Sequence, residues 1–199
     1  MQYKAVKLVK RPRLTITPDV FEVVSLETPE LDSGQILLKQ THMSLDPAMR
    51  GWMSEDRGSY IPPVELGEIM RSSGVAEVVE SKNDQFAIGD RVVGMIGWTE
   101  YAVSTGEGLN KLPPGISAEA VLCVLSLPGL TAWQGLMEIG KPKAGETLVV
   151  SGAAGSVGSM VGQLGKAEGL TVVGTAGTDE KCRWLEEELG FDSAINYKS

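Results

Sequence analysis

The chain has 199 residues, 42% of them hydrophobic and 22% charged, an ordinary composition for one or two globular domains. Its formal net charge of −8 argues against a protein that binds nucleic acid or an anionic membrane surface. Two distant cysteines, no signal-peptide core at the N-terminus and no membrane-length apolar run together predict a cytoplasmic protein that does not insert into membranes.

The first part of the chain has the pattern of an all-β domain. Short runs of strand-forming residues, such as Gln35–Lys39 and Gly74–Glu80, are separated by Gly, Pro, Asp and Asn, which favour turns. Ser117 is typical of a helix N-cap, and strand and helix patterns alternate after it, as in a parallel sheet. We therefore expect one domain over residues 1–122 and a second over residues 123–199.

A glycine-rich turn joins a strand pattern to a helix pattern in the second domain. The apolar run Thr147–Val150 leads into this turn, and apolar residues at helical spacing follow from Met160. This order is the context that a dinucleotide-binding fingerprint requires, although an ordinary loop is the alternative. Gly155 would let the backbone approach a pyrophosphate, and Gly158 would let the helix pack closely on the strand. The turn thus predicts cofactor contacts from Gly152, Ala153, Gly155, Ser156, Val157 and Gly158.

The end of the next strand pattern, Leu170–Ala176, bears on the choice of cofactor. NAD-selective domains usually carry an acid there that binds the ribose 2′-hydroxyl. This chain has small residues instead, and its first acid, Asp179, fits as a first-turn acid of the following helix. The nearby cation of Lys181 favours a 2′-phosphate and therefore NADP(H). The alternative is that Lys181 and Arg183 are solvated helix charges.

A third strand pattern, Ser193–Tyr197, begins just before the sequence ends. A doubly wound domain needs two halves in the strand order 3-2-1-4-5-6, and only the first half is visible here. We therefore predict an α/β domain after a β domain, and we expect the sequence to be part of a longer protein.

Four segments resemble motifs of the medium-chain dehydrogenase/reductase superfamily: Ser44–Gly51, Phe86–Val93, Leu127–Trp133 and Ala176–Lys181. Together they are similar to its zinc-free reductases, in the branch of leukotriene B4 dehydrogenase, prostaglandin reductase and curcumin reductase. The resemblance covers essentially the whole chain. It implies a GroES-like β-barrel catalytic domain followed by the first half of a Rossmann nucleotide-binding domain. It also implies NADPH-dependent reduction of the carbon–carbon double bond of enones and enals, by a homodimer when full length.

The same resemblance implies roles for particular residues. Thr131 is expected near the nicotinamide, and the adenosine phosphate is expected to contact Gly177, Thr178, Lys181 and Tyr197. From the residues themselves, Tyr60 is the best visible candidate for a catalytic residue that lines a substrate pocket, and Met43, Met49 and Trp52 would suit its apolar walls. Packing roles for these four residues are the alternative.

No metal site is expected. Zinc sites of the superfamily use Cys and His, and His42 is the single histidine, best explained as a satisfied polar residue. Neither Cys123 nor Cys182 has a plausible partner, so we expect no zinc-dependent alcohol oxidation. Two other functions stay open: a quinone oxidoreductase on the same fold and a non-catalytic nucleotide-binding protein.

Overall fold

The computed structural model describes residues 1–56, 58 and 61–199, which form two compact units. Unit 1 comprises Met1–Ala118 and unit 2 comprises Glu119–Ser199. The domain limits expected from the sequence, 1–122 and 123–199, remain a prediction. Within the described ranges, no helix is both long enough and apolar enough to cross a membrane.

Unit 1 is built from antiparallel strands. A hairpin pairs β1 (Gln2–Leu8) with β2 (Phe21–Glu27). A five-stranded sheet with the order β6-β3-β4-β5-β7 comprises, in chain order, β3 (Ile36–Met43), β4 (Ser73–Ser81), β5 (Arg91–Met95), β6 (Tyr101–Ser104) and β7 (Asn110–Lys111). The short 3-10 helix Pro18–Val20 precedes β2, and the short helix α1 (Met49–Trp52) follows β3.

The predicted β domain is confirmed, but its described strands form two sheets and no continuous closed barrel. Backbone hydrogen bonds connect the hairpin to the rest of unit 1, from Val6 N–H to the Trp98 carbonyl at 2.8 Å and from Leu8 N–H to the Glu68 carbonyl at 3.0 Å. Isolated antiparallel bridges between Ala5 and Thr99 and between Lys7 and Ile69 are part of the same connection. The register of β3 against β4 shifts between Leu37 and Leu38, as at a β-bulge.

Two hydrophobic clusters stabilise unit 1. One lies within the five-stranded sheet and includes Ile36, Leu38, Val78 and Val92. The other lies beneath the hairpin and α1, and it comprises Leu8, Met49, Met53, Val64 and Met70. Burial of such side chains stabilises a fold by about 1.5–3 kcal/mol each, so the second cluster holds the loop that contains α1 against the strands.

Unit 2 is a three-stranded parallel sheet with helices. Its strands β8 (Thr147–Val150), β9 (Thr171–Ala176) and β10 (Ser193–Asn196) have the order β10-β9-β8. Its helices are a π-helix at Ala120–Val124, α2 (Leu127–Trp133), a π-helix at Gln134–Gly140, α3 (Ser156–Ala167) and α4 (Asp179–Glu187). This strand order is the 3-2-1 half of a doubly wound sheet, which confirms the predicted partial Rossmann domain.

Helix α3 packs closely on the sheet because glycines line its inner face. A Cβ on Gly162 would lie 1.9 Å from Phe191 Cζ, and a Cβ on Gly165 would lie 2.6 Å from Leu148 Cδ2. Phe191 belongs to the hydrophobic cluster of unit 2, with 4% of its surface exposed. The close approach fixes the N-terminal end of α3 beside the carboxyl end of β8.

An ion pair joins the loop before β10 to α3 and β9. Lys166 Nζ lies 2.8 Å from both carboxylate oxygens of Asp192, and Asp192 Oδ2 also accepts a hydrogen bond from Val172 N–H at 2.6 Å. The hydrogen bond from Lys166, followed by that from Val172, holds the pKa of Asp192 below its ordinary value. The charged carboxylate thus stabilises the β9–β10 connection.

Candidate functional site

The turn between β8 and α3 presents backbone amides at the carboxyl end of the sheet. Gly152 has a left-handed φ of +57°, and its carbonyl accepts a hydrogen bond from Gly155 N–H at 2.9 Å. Gly155 is the N-cap of α3, has extended backbone and offers no side chain to cap the first turn. Ser159 N–H makes its hydrogen bond to the Gly155 carbonyl at 2.9 Å. The backbone N–H groups of residues 156–158 come before Ser159 and have no acceptor within the helix. They are therefore available to an anion.

The turn is held rigidly by its neighbours. Ala153 is fully buried, and its N–H donates to the Thr175 carbonyl at 3.0 Å, which ties the turn to the end of β9. A Cβ on Gly158 would lie 2.6 Å from the Gly152 carbonyl oxygen, and a Cβ on Gly155 would lie 3.1 Å from the same atom. Glycine at 158 is therefore required by the packing of α3 on the turn. The cofactor contacts expected from residues 152, 153 and 155–158 stay a prediction.

The residues expected around the adenosine phosphate lie together after β9 and β10. Thr178 is the N-cap of α4, and its Oγ1 accepts a hydrogen bond from Lys181 N–H at 3.3 Å. A Cβ on Gly177 would lie 3.1 Å from the Tyr197 hydroxyl oxygen, so the tyrosine covers the glycine. The structure thus brings Gly177, Thr178, Lys181 and Tyr197 to one edge of the sheet, where doubly wound folds bind their ligands.

The first acid after β9 has a structural partner. Asp179 Oδ1 accepts a hydrogen bond from Asn196 Nδ2 at 2.6 Å, across the ends of α4 and β10. Asp179 is also the first residue of α4, where a negative charge is favoured by the helix dipole. This arrangement agrees with its interpretation as a first-turn acid.

Two lysines flank this edge of unit 2. Lys181 is exposed, and within the described part of the chain its ammonium group has no carboxylate partner. Lys198 Nζ would lie 3.5 Å from a Cβ on Gly177, and it sits 5.9 Å from the centre of the Tyr197 ring. Lys198 is not among the residues predicted from the sequence, because only the pairing of β10 with β9 brings it to Gly177. Its one sequence signal is its position directly after Tyr197.

Thr131 lies on α2, in the same unit. Its hydroxyl donates to the Leu127 carbonyl at 2.6 Å, one turn earlier in the helix, and the residue is exposed. Rotation of this hydroxyl would be needed before it could donate to a ligand. Its expected position near a nicotinamide remains a prediction.

The described residues expected to line a substrate pocket have different surroundings in unit 1. Met43 ends β3, is 42% exposed and lines a groove of about 380 Å³ with His42 and Trp98. Met49 is only 4% exposed and packs inside the cluster beneath the hairpin, with Trp52 half-buried against that cluster. Tyr60 lies outside the described residues. Pocket roles for these side chains stay predictions. In the structure, Met49 packs in the hydrophobic cluster beneath the hairpin.

His42 is the one histidine of the chain and lies in β3. Its Nδ1 is 3.1 Å from Thr41 Oγ1, so the ring has a polar partner, as the sequence indicated. Among the residues that the structure describes, no group of three or more His, Cys, Asp or Glu side chains is placed to hold a metal ion. Cys123 is exposed and Cys182 is buried, and each is a free thiol.

Comparison with known proteins places these features in a family. A family model for the N-terminal domain of oxidoreductase matches residues 4–112. NADPH-dependent curcumin reductase of Escherichia coli is 46% identical over 193 residues, which are 96% of this chain and 55% of that protein. Prostaglandin reductase 1 of Rattus norvegicus is 43% identical over 187 residues, covering 92% of this chain and 54% of that protein.

A solved structure shows the same similarity in three dimensions. The crystal structure of CurA in complex with NADPH from Vibrio vulnificus superposes with a TM-score of 0.90 at 41% identity, covering 98% of this chain and 58% of that one. The chain thus spans somewhat more than half the length of the relatives that it matches. The chain belongs to the oxidoreductase family that the matching family model describes. Within the medium-chain dehydrogenase/reductase superfamily, it falls in the branch that contains the curcumin and prostaglandin reductases.

Proposed function

We propose that the whole protein is an NADPH-dependent reductase of the carbon–carbon double bond of α,β-unsaturated ketones and aldehydes. The observation that carries the proposal is the arrangement at the carboxyl edge of the sheet in unit 2. There, an uncapped glycine turn lies beside the Gly177–Lys181 segment, which has two nearby lysines and an acid that is already hydrogen-bonded. The first feature suits a pyrophosphate, and the second suits a 2′-phosphate.

The pyrophosphate would bind at the start of α3. The amides of residues 156–158 can donate to its oxygens, and the helix dipole adds a partial positive charge at the same point. The absence of a side chain at Gly155 lets the oxygens approach the backbone. Ala153 and Gly158 support this site indirectly, because their packing fixes the turn against β9 and α3.

Selection of NADPH over NADH would come from Lys181 and Lys198. Both can pair with a phosphate dianion, and the Tyr197 ring offers an apolar surface beside them. An NAD-selective site needs a free acid for the ribose hydroxyls, but the carboxylate of Asp179 is hydrogen-bonded to Asn196. The expected order of affinity is therefore NADPH well above NADH.

When bound, NADPH supplies a hydride to the β-carbon of the enone, and negative charge develops on the carbonyl oxygen. The chain's part is to orient the substrate and to donate a hydrogen bond to that oxygen. Tyr60 is our candidate donor. Met43, Met49 and Trp52 are our candidates for the apolar lining of the substrate pocket, and Thr131 is our candidate for contact with the nicotinamide. A proton from a hydroxyl or water then completes the reduction at the α-carbon.

The cellular setting forms part of the same proposal. We propose a cytoplasmic, zinc-independent homodimer that acts on small molecules and does not bind nucleic acid, in keeping with the net charge of −8. Size determination of the purified whole protein by light scattering, with metal analysis of the same sample, tests these points.

The decisive experiment uses the whole protein with NADPH, a 2-alkenal, an aryl enone and a quinone. If the protein reduces enones, one molecule of the saturated product should form for each NADPH oxidised. Analysis of the reaction products identifies the saturated compound. Oxidation of NADPH with the quinone, but not with the alkenal or the enone, would instead favour the quinone oxidoreductase alternative. Tight NADPH binding without turnover of any of the three would favour a non-catalytic nucleotide-binding protein.

A further inference from the structure

A cluster of cations surrounds a cavity on unit 1, remote in sequence from the nucleotide-binding turn. The first 13 residues contain five lysines and arginines and no acid, in a chain whose net charge is −8. Three of these cations, together with Arg50 of α1, line a cavity of about 710 Å³. Small-molecule sites usually have volumes of roughly 300–1,000 Å³, so this cavity can hold an organic ligand.

Two of the four cations are already neutralised. Lys10 Nζ lies 2.5 Å from Asp19 Oδ2, and Arg11 donates to the Val64 carbonyl at 2.6 Å while its other nitrogen lies 3.8 Å from Glu65 Oε2. The Arg11 side chain is only 16% exposed. These contacts give Lys10 and Arg11 a structural role in fixing the loop after β1.

The other two cations keep unused donors. Arg50 donates to the Arg13 carbonyl at 3.0 Å and to the Pro12 carbonyl at 3.4 Å, which engages one of its nitrogens and holds the loop against α1. Arg13 is exposed, and no acid in the described part of the chain forms an ion pair with it. One acid, Glu55, lines the same cavity, so the cations outnumber it.

The cavity lining also includes exposed apolar side chains. Val9 and Leu66 both line it, and they expose 39% and 52% of their surfaces. An inorganic anion would leave these walls wetted, whereas a ligand with a hydrocarbon part would bury them. Free guanidinium donors beside apolar surface match a ligand with one anionic end and one apolar end.

We propose that this cavity binds amphipathic carboxylates, with the carboxylate paired to Arg13 and Arg50 and the hydrocarbon chain on Val9 and Leu66. Guanidinium groups favour this ligand class because their planar donors match the two carboxylate oxygens. The site requires no nucleotide and no turnover, so it stands or fails independently of the proposed reductase activity.

The test is calorimetric titration of the whole protein with octanoate, octanol, acetate and inorganic phosphate, in the absence of NADPH. Octanoate is expected to bind more tightly than the other three. Arg13→Gln removes an exposed cation without breaking a hydrogen bond of its side chain, and it should weaken octanoate binding about three- to tenfold. Binding of octanol should be unchanged.

Lys143→Gln is the matched control, because it removes the same charge from the surface of unit 2. Octanoate affinity should be the same in this variant as in the unaltered protein. Equal octanoate affinity in Arg13→Gln and Lys143→Gln would overturn the proposal, as would octanol binding as tightly as octanoate. If acetate or phosphate bound as tightly as octanoate, the proposed contact between the hydrocarbon chain and the apolar walls would be overturned.

Discussion

Removing the cation of Lys181 tests the proposed selectivity for NADPH most directly. Its ammonium is exposed and has no ion-pair partner in the described chain, so Lys181→Ala should leave the fold intact. A hydrogen bond between charged groups contributes about 1.5–3 kcal/mol, and solvent exposure here places the expected loss at the lower end. A loss of about 1.5 kcal/mol corresponds to roughly tenfold weaker NADPH binding.

Lys198 sharpens this prediction, because the structure places a second ammonium near Gly177. If both lysines bind one 2′-phosphate, Lys198→Ala should also weaken NADPH binding, and the double variant should show coupling between the two losses. Affinity for NADH should change little in all three variants, since NADH has no 2′-phosphate.

The assay is fluorescence titration of the whole protein with NADPH and with NADH, and Lys143→Ala serves as the matched control. Loss of affinity for both cofactors by the same factor would refute the reasoning, since it would mean that Lys181 supports the fold of the site and does not contact the phosphate. Unchanged NADPH affinity in the double variant would refute it equally.

Three further predictions concern the turn and its support. Gly155→Val should abolish nucleotide binding, because a branched side chain would occupy the pyrophosphate approach and crowd the Gly152 carbonyl, 3.1 Å from the Cβ; calorimetry with NADPH measures this. Gly162→Ala should lower the free energy of unfolding by about 1–3 kcal/mol in urea denaturation, because its Cβ would overlap the Phe191 ring. Asp192→Asn should be destabilising at pH 7, and the difference from the unaltered protein should shrink as the pH falls below the ordinary aspartate value of 3.8.

The sign of the pH effect follows from the lowered pKa of Asp192. A depressed carboxyl pKa stabilises the folded state at pH values above the ordinary 3.8, and this stabilisation is lost as the pH falls through the folded-state value. Denaturation at several pH values between 2 and 7 measures it, and a constant difference over that range would contradict the ion pair's role.

Controls for the two glycine variants come from a position with open space. Gly135 lies in the second π-helix of unit 2, and a Cβ there would meet no atom within 4 Å. Gly135→Val should leave NADPH affinity unchanged, and Gly135→Ala should not destabilise unit 2. Retained NADPH affinity in Gly155→Val would remove the turn from the proposed site, and wild-type stability of Gly162→Ala would show that Phe191 moves aside at little cost.

Local pattern alone was enough to predict the strand–turn–helix unit of the nucleotide-binding half. The apolar run Thr147–Val150, the glycines after it and the helical spacing beyond are properties of neighbouring residues, and such properties can be read in order along the chain. The structure confirms each of these elements, although α3 begins at Ser156, ahead of the apolar residue Met160 that signalled it. The glycine turn, and not the apolar stripe, sets the residue at which α3 begins.

Tertiary structure decided which distant residues meet. Lys198 reaches Gly177 because β10 pairs in parallel with β9, and a register of this kind depends on contacts between strands that no single segment contains. For the same reason, Met49 lies in a buried cluster, although its sequence context suggested a pocket wall. The sequence by itself determined the local elements and the glycine-rich turn between β8 and α3, whereas packing between remote segments determined which side chains lie together and which are buried.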